Sequence, residues 1–557
     1  MLLDEIEKQY LDTTSIEHRK KYAQFFTPPL IADLMVKWLL GNKDLKQILE
    51  PAFGLGIFSR MLLKKRNNIR IKGFEVDKNI YNKSRSLFGK NKNISIQLKD
   101  YMYNDWKNKY DGIICNPPYF KFHDYDNKNI LNEIEKNILC KLNGFTNLYS
   151  LFLLKSIYQL NKNGRAAYII PSEFLNSDYG KLVKSYLVKN GSLRHVIIIN
   201  FKENVFDDVL TTASILLFAN DHKTDAVQFS NISSLSDLSN IEKIINTYPK
   251  NVQTNQTIKF KQLNPEIKWR AYYQEQNSIK FKHLVPFAKY GKVVRGIATG
   301  ANEYFIFNLS KAKQYNIPKK YLIPCICRAT DVKNLFFGEN DIDELINKNK
   351  NVFLIDAVNS NNKNVERYLS IGEKREINKK YLTASRNPWY SLEKRLPAPI
   401  WVSVFNRNGL RFIRNEAKIL NLTTFHCLYL NIISESIADL FFSYLLTDIS
   451  KEIFDDNSRE YGNGLQKFEP NDINKSKMID LSMIDERTEK NILKIYKLYR
   501  QSVIDKKPEE KFVKEINKIF LEKFTETNFE KSKKILVQKI QSQTFFFEPN
   551  QQIKLSF

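Results

Sequence analysis

The sequence predicts an α/β protein whose first 245 residues form a seven-stranded, mostly parallel doubly wound sheet. Three observations predict it. Strand-like and helix-like stretches alternate from Leu30 to Ala219. A turn containing Gly54 and Gly56 joins the first short strand to a helix. Four successive strands end in residues able to hold a ligand, Glu50, Glu75, Asp100 and Asn116, as expected of a crevice outside the carboxyl ends of a parallel sheet.

The elements follow in order. Residues 1–24 read as helical and charged until Phe25-Phe26-Thr27-Pro28-Pro29 breaks the pattern. Thr27 is expected to cap the helix 30–40 with Pro28 at its first position, where a missing N–H costs nothing. The strand Gln47–Glu50 then leads into Pro51-Ala52-Phe53-Gly54-Leu55-Gly56, where glycines allow close backbone approach to a ligand. The third glycine of a dinucleotide fingerprint is missing. The second strand, 70–75, ends in Glu75, placed to hold ribose hydroxyls. The third, 94–98, leads to Asp100-Tyr101.

The fourth strand, from Tyr110, ends in Asn116-Pro117-Pro118-Tyr119. Two prolines stiffen this tetrad and stop the strand. The Asn116 carboxamide oxygen and the Pro117 carbonyl are both acceptors, suited to an amine with two N–H donors, and Tyr119 can stack on the ring carrying it. Two such acceptors favour a pyramidal, nucleophilic nitrogen without a metal or a strong base. The blander reading is a turn of ordinary turn residues after a strand. Beyond the tetrad, 121–146 reads as polar and irregular, 147–160 as a helix, and 165–171, 193–200 and 211–219 as the remaining strands.

In this motif order, over roughly residues 20–220, the chain resembles the adenine-N6 DNA methyltransferases that use S-adenosylmethionine, in the gamma arrangement of the Taq-type and BseCI-type restriction-modification methylases. The resemblance rests on Thr27-Pro-Pro, Glu50-Pro-Ala-x-Gly-x-Gly56, Phe74-Glu-Val-Asp77, Asp100, Asn116-Pro-Pro-Tyr119, Asn147-Leu-Tyr149 and Ile170-Pro-Ser-Glu-Phe174. It implies a Rossmann-like methyltransferase domain and S-adenosyl-L-methionine as cofactor, with no metal required. It assigns Thr27, Glu50, Ala52, Gly54, Gly56, Glu75, Asp100, Tyr101 and Pro118 to the cofactor. Asn116, Pro117 and Tyr119 go to the target adenine, with Phe206 as a second contact. Because the amine of a paired adenine cannot reach a methyl group deep in a cleft, the base is expected to leave the stack.

The second half resembles those enzymes more loosely. Residues 246–284 read as a connector and 285–480 as a mixed α+β target-recognition domain, with basic and aromatic stretches around Arg295, Arg386, Arg407 and Arg411. The segment Arg459–Pro470, including Lys467, resembles a stretch of the BseCI-like group. These five cationic residues are the DNA-binding candidates, since Arg and Lys hold phosphates and Arg reads guanine edges. Residues 481–557 read as a charged helical extension with Phe545-Phe-Phe547 as a docking anchor.

Composition agrees. The formal charge of +26 over 557 residues calls for a polyanion, duplex DNA before a membrane, although Lys and Asn are plentiful throughout. Five scattered cysteines with no Cys-x-x-Cys pair indicate neither a disulfide framework nor zinc. The acidic, amphipathic start argues against a signal peptide, so a cytoplasmic protein is expected. The resemblance allows a separately encoded restriction endonuclease as a partner. The rivals are a methylase-nuclease fusion, an RNA or protein-glutamine methyltransferase, and a DNA-recognition subunit without catalysis. The cofactor motifs begin too near the start to leave room for a nuclease ahead of them, the basic second half disfavours a protein substrate, and a bare recognition subunit leaves the cofactor positions unexplained.

Overall fold

A computed structural model describes residues 3–526 except 139–141, 143, 200–211, 233, 251–255, 275–276, 407–408, 432–433, 435 and 462–464. Phe206, Arg407 and the Phe545–Phe547 run therefore lie outside the described residues. The chain divides into two units, one built mainly from Met1–Glu275 and the other mainly from Gln276–Arg459 and Leu465–Lys533.

The first unit is organised on one sheet. Its strands are β1 (Gln47–Glu50), β2 (Arg70–Glu75), β3 (Ile94–Leu98), β4 (Tyr110–Cys115), β5 (Leu160–Pro171), β6 (Leu193–Ile199), β7 (Ala213–Ala219), β8 (Ala226–Ile232) and β9 (Thr257–Lys259). Their spatial order is β3-β2-β1-β4-β5-β7-β6-β8-β9. The sheet thus has nine strands rather than the expected seven. The two extra strands were hidden for different reasons: Ala226–Ile232 carries polar Gln228, Ser230 and Asn231, and Thr257–Lys259 is only three residues long. Strands β3 to β5 run parallel, and β7 lies antiparallel between β5 and β6. The order reverses at β1, which has β2 on one side and β4 on the other. This switch point is where an open α/β sheet binds ligands.

Both faces of the sheet are covered, which is why its central strands are continuous apolar runs rather than alternating ones. On one face pack α1 (Pro29–Leu40) and α2 (Ile57–Lys65), burying Met35, Trp38, Leu39 and Leu62 against Ile48, Ile114 and Ile215. On the other, α3 (Leu148–Tyr158) buries Leu151 and Leu154 with Ile113, Tyr168 and Leu216. Trp269 joins that second core, so the stretch read as a connector also supplies β9 and a buried indole. The segment read as irregular, 121–146, contains a helix, Asn127–Ile138, whose Ile130 and Ile134 are buried. Its apolar residues are sparse among Asn, Lys and Glu, which masked the helical period.

The second unit holds a five-stranded sheet in the order Gly291–Arg295, Phe425–Leu430, Ile400–Ser403, Phe412–Asn415, Phe336–Phe337. The helices Glu486–Ile504 and Glu510–Phe524 bury Ile492, Tyr496, Tyr499, Ile516 and Phe520 in the same core as Val293, Ile400 and Leu428. The described part of the expected C-terminal extension is thus part of the second unit's core. Its charged surface faces disguised apolar stripes at helical spacing.

Candidate active site

A cleft partly open to solvent lies at the switch point, with a cavity volume of about 110 Å³. Its walls include nine of the thirteen residues that the sequence assigned to cofactor and target: Thr27, Glu50, Ala52, Gly54, Gly56, Glu75, Tyr101, Asn116 and Pro118. Asp100, Pro117 and Tyr119 lie beside the lining, and Phe206 is outside the described residues.

The glycine turn is held open by its backbone. Gly54 and Gly56 have φ of +54° and +71°, the left-handed region that side chains disfavour. A Cβ at Gly56 would also lie 2.7 Å from the Phe53 and Phe88 rings. Glu75 is fastened behind the turn: its carboxylate accepts from the N–H groups of Gly54, Val76 and Asp77, each at 2.9 Å. Burial raises its pKa against those three hydrogen bonds.

Two further carboxylates give the cleft its electrostatics. Glu50 is fully buried, accepts from the Ser59 hydroxyl, and burial pushes its pKa up to about 8. Glu7, from the N-terminal helix Glu5–Thr13, is 1% exposed and pairs with Arg60 at 2.8 Å, and burial raises its pKa as well. A pocket that strains carboxylates toward neutrality favours a cationic ligand, which relieves the cost of ionising them. Nothing in the charged, helical reading of 1–24 singled out Glu7, since its burial depends on Arg60, four elements further along the chain.

At the far side, Asp100 caps a short turn by accepting from the Met102 N–H at 2.8 Å. The Tyr101 phenol points away from the cleft, donating to Gln159 at 2.6 Å and lying 3.0 Å from the Ser156 hydroxyl. Tyr101 therefore contributes a ring wall and not a hydroxyl. Lys155 is fully buried beneath this turn and donates to the carbonyls of Tyr101 and Asn104.

The tetrad is oriented from behind by the Phe25–Thr27 break. Asn116 Nδ2 donates to the Phe25 carbonyl at 2.8 Å and to Thr27 Oγ1 at 3.0 Å. These two acceptors fix which end of the amide is which. Its oxygen, Oδ1, is buried and has no hydrogen-bond partner among the described residues. A buried acceptor without a donor is costly in a folded protein, and an unpaired one in a cleft marks a place for a ligand's N–H. Thr27 does not cap the helix as expected: α1 starts at Pro29 with Pro28 at the cap, and the threonine hydroxyl serves Asn116 instead. Phe25, which the sequence reading passed over, also stacks on Tyr119 with ring centroids 5.5 Å apart and planes at 24°. The Tyr119 hydroxyl donates to the Ile169 carbonyl at 3.2 Å, and the ring meets the edge of Tyr149. Asn147 and Tyr149, at the start of α3, both bond Tyr179, and the Leu148 N–H reaches the Phe120 carbonyl at 3.1 Å, securing the chain after the tetrad.

In the second unit the DNA-binding candidates diverge. Arg295 is exposed and pairs with Glu469 at 2.9 Å, and Lys467 pairs with the same carboxylate at 2.7 Å. Arg386 and Arg411 are engaged within their own unit. The Arg386 guanidinium donates to the carbonyls of Ala298 and Thr299, and that of Arg411 to those of Val332, Lys333 and Asn334. Both brace their own domain's loops. A guanidinium's five donors suit carbonyl clusters as well as phosphates, and sequence alone does not separate the two uses. Among the described residues, no group of three His, Cys, Asp or Glu side chains is placed to hold a metal ion, and no helix is long and apolar enough to cross a membrane.

Comparison with known proteins adds independent findings. Residues 2–282 match the family described as N-6 DNA Methylase, and residues 267–519 match the C-terminal domain of type II methyltransferase M.Eco57I. The chain is 64% identical to type II methyltransferase M.AccI of Acinetobacter calcoaceticus, over 94% of this chain and 97% of that one. It is 25% identical to type II methyltransferase M.HindII of Haemophilus influenzae, over 71% and 73%. Among solved structures, the DrdV–DNA complex has a TM-score of 0.51 at 12% identity, over 89% of this chain and 60% of that one, which shows likeness of fold.

Proposed function

The chain belongs to the N-6 DNA methylases, as a type II DNA methyltransferase of restriction-modification type, and from that premise we propose that its cleft binds S-adenosylmethionine and that Asn116 presents an extruded adenine for methylation at N6. The observation that carries this reading is the buried Asn116 Oδ1, without a partner among the described residues, with its amide nitrogen fastened by Phe25 and Thr27.

The residues present suit the cofactor. Glu75 faces the cleft with its carboxylate prepositioned for ribose hydroxyls, the glycine turn leaves room for a close approach, and Glu50 and Glu7 favour positive charge. When bound, S-adenosylmethionine supplies an electrophilic methyl group on a positively charged sulfur. Thr27 and Glu50 hold the methionine part, Glu75 the ribose, and Asp100 with the Tyr101 ring wall the adenine part, while Pro118 closes the cleft. Asn116 Oδ1 and the Pro117 carbonyl accept the two N–H bonds of the target amine. As the nitrogen develops positive charge, both acceptors are already aimed at it, and no reorganisation is needed. Tyr119, backed by Phe25, stacks on the base. Phe206 is proposed as its second contact.

Duplex DNA is the substrate, held by cations of the second unit, with Arg295 and Lys467 the best placed of those described. The cognate nuclease is taken to be a separate chain, because the relative that matches almost end to end is a methyltransferase. Single-molecule sequencing of DNA from cells expressing the protein tests the function: N6-methyladenine at one recurring motif is the expected result, and unmodified DNA or a modified cytosine contradicts it. Duplex affinity is expected to fall steeply with salt as Lys and Arg release condensed counterions. A flat titration between 50 and 200 mM salt, a range over which several phosphate contacts cost roughly 10³-fold or more, would remove the recognition role from the second unit.

A further inference from the structure

Asp77, the last residue of the Phe74-Glu-Val-Asp77 motif, divides its two carboxylate oxygens between two tasks. Oδ1 accepts from the Asn79 N–H at 2.9 Å and caps the helix Lys78–Phe88. Oδ2 turns to the N-terminal segment, where it accepts from the Gln24 side-chain amide at 2.6 Å and lies 2.8 Å from His18 Nε2. The Tyr10 hydroxyl donates to Gln24 Oε1 at 3.0 Å, so both ends of the Gln24 amide are assigned. Asp77 and Tyr10 are buried. The Gln24 backbone is held as well: its N–H donates to the Arg19 carbonyl at 3.0 Å, and Ala23 before it, at φ +47°, closes the helix Ile16–Lys21 in the left-handed conformation.

An aspartate that caps a helix is ordinary. A cap uses one oxygen, and the other is spent here on a residue 53 positions earlier in the chain, which itself lines the cleft. On one side, the Asp77 N–H donates to Glu75 Oε1 at 2.9 Å. On the other, Gln24 is followed directly by Phe25, whose carbonyl fastens the Asn116 amide at 2.8 Å. The Gln24–Asp77 hydrogen bond therefore closes a path, all within the first unit, from the carboxylate proposed for the ribose to the amide proposed for the target amine. Hydrogen bonds to carboxylates are among the stronger ones, and burial shields this one from competition by water. Transfer between two bound groups needs such a link, since a misplacement of about 1 Å costs about 10²-fold in rate.

We infer that Asp77 and Gln24 are a positioning pair, whose hydrogen bond holds the Phe25–Thr27 segment against the Glu75 wall and so keeps the cofactor site and Asn116 in one register. This rests on the reading of Glu75 and Asn116 as cofactor and target residues. The test is single-turnover methyl transfer to duplex DNA at saturating S-adenosylmethionine, with thermal unfolding of each variant followed alongside. Gln24→Met, of similar length but without the amide, is expected to lower the rate roughly tenfold or more in a folded protein. Gln24→Glu sets a carboxylate against Asp77 and is expected to lower it at least as far. Combining Gln24→Glu with Asp77→Asn reverses the polarity of the bond, the new amide donating to the new carboxylate, and is expected to recover most of the loss. A purely structural contact would lower the melting temperature and leave the rate of the folded protein at the wild-type value. A wild-type rate in Gln24→Met, or a double variant no faster than Gln24→Glu, would overturn the inference, and Gln24→Met decides alone if Gln24→Glu does not fold. Absence of methyl transfer by the wild-type protein overturns the underlying reading, whereas variants that match an active wild type overturn the pair alone.

Discussion

Asn116→Ala is expected to lower the rate of methyl transfer by about 10²–10³-fold while S-adenosylmethionine and duplex DNA still bind. Removing one preorganised group aimed at developing charge typically costs that much, about 2.7–4 kcal/mol. The variant also frees the Phe25 carbonyl and the Thr27 hydroxyl from their donor, so a second substitution is needed to separate chemistry from support. Asn116→Asp keeps the shape and two acceptors. It is expected to be nearly as impaired, because a carboxylate oxygen would then face the Phe25 carbonyl that the amide nitrogen now satisfies, and the side chain would turn or take up a proton. Single-turnover kinetics at saturating cofactor measure both. A wild-type rate in Asn116→Ala reduces the tetrad to a turn.

The second large effect is expected at Glu75. Its carboxylate holds the N–H groups of Gly54, Val76 and Asp77, each at 2.9 Å, so it shapes the glycine turn as well as facing the cleft. Glu75→Ala removes the proposed ribose acceptor and leaves three backbone donors without their partner. An unsatisfied buried group costs about 1–3 kcal/mol. Cofactor affinity is therefore expected to fall at least tenfold, read by titration calorimetry, with Glu75→Gln losing less because an amide oxygen still accepts. Unchanged affinity in the alanine variant would take Glu75 out of the cofactor site.

What could be read from the sequence followed the range over which the cause acts. The strand ends, the glycine turn and the tetrad are local patterns, and the structure brings Thr27, Glu50, Glu75 and Asn116 to one cleft although they span 90 residues. Pairings across the fold were not legible. Glu7 is buried only because Arg60 meets it, Thr27 forgoes its helix cap for the Asn116 amide, and Phe25 matters through its carbonyl and through the Tyr119 ring, none of which leaves a mark on the neighbouring sequence. The strands Ala226–Ile232 and Thr257–Lys259 escaped because polar residues interrupt the apolar run of the first, and the second, at the sheet edge, is only three residues long. Nor did the sequence show that the guanidinium groups of Arg386 and Arg411 bond backbone carbonyls of distant loops.

The central claim is that this cleft delivers a methyl group to the N6 amine of adenine through Asn116. Incubating duplex DNA carrying the recognised motif with S-adenosylmethionine labelled with carbon-13 at its methyl group, then digesting to nucleosides for mass spectrometry, tests it most directly. The account predicts label in N6-methyldeoxyadenosine alone with the wild-type protein and a loss of about two to three orders of magnitude in Asn116→Ala at undiminished cofactor binding. Label in a cytosine derivative, or equal labelling by the two proteins, would contradict it.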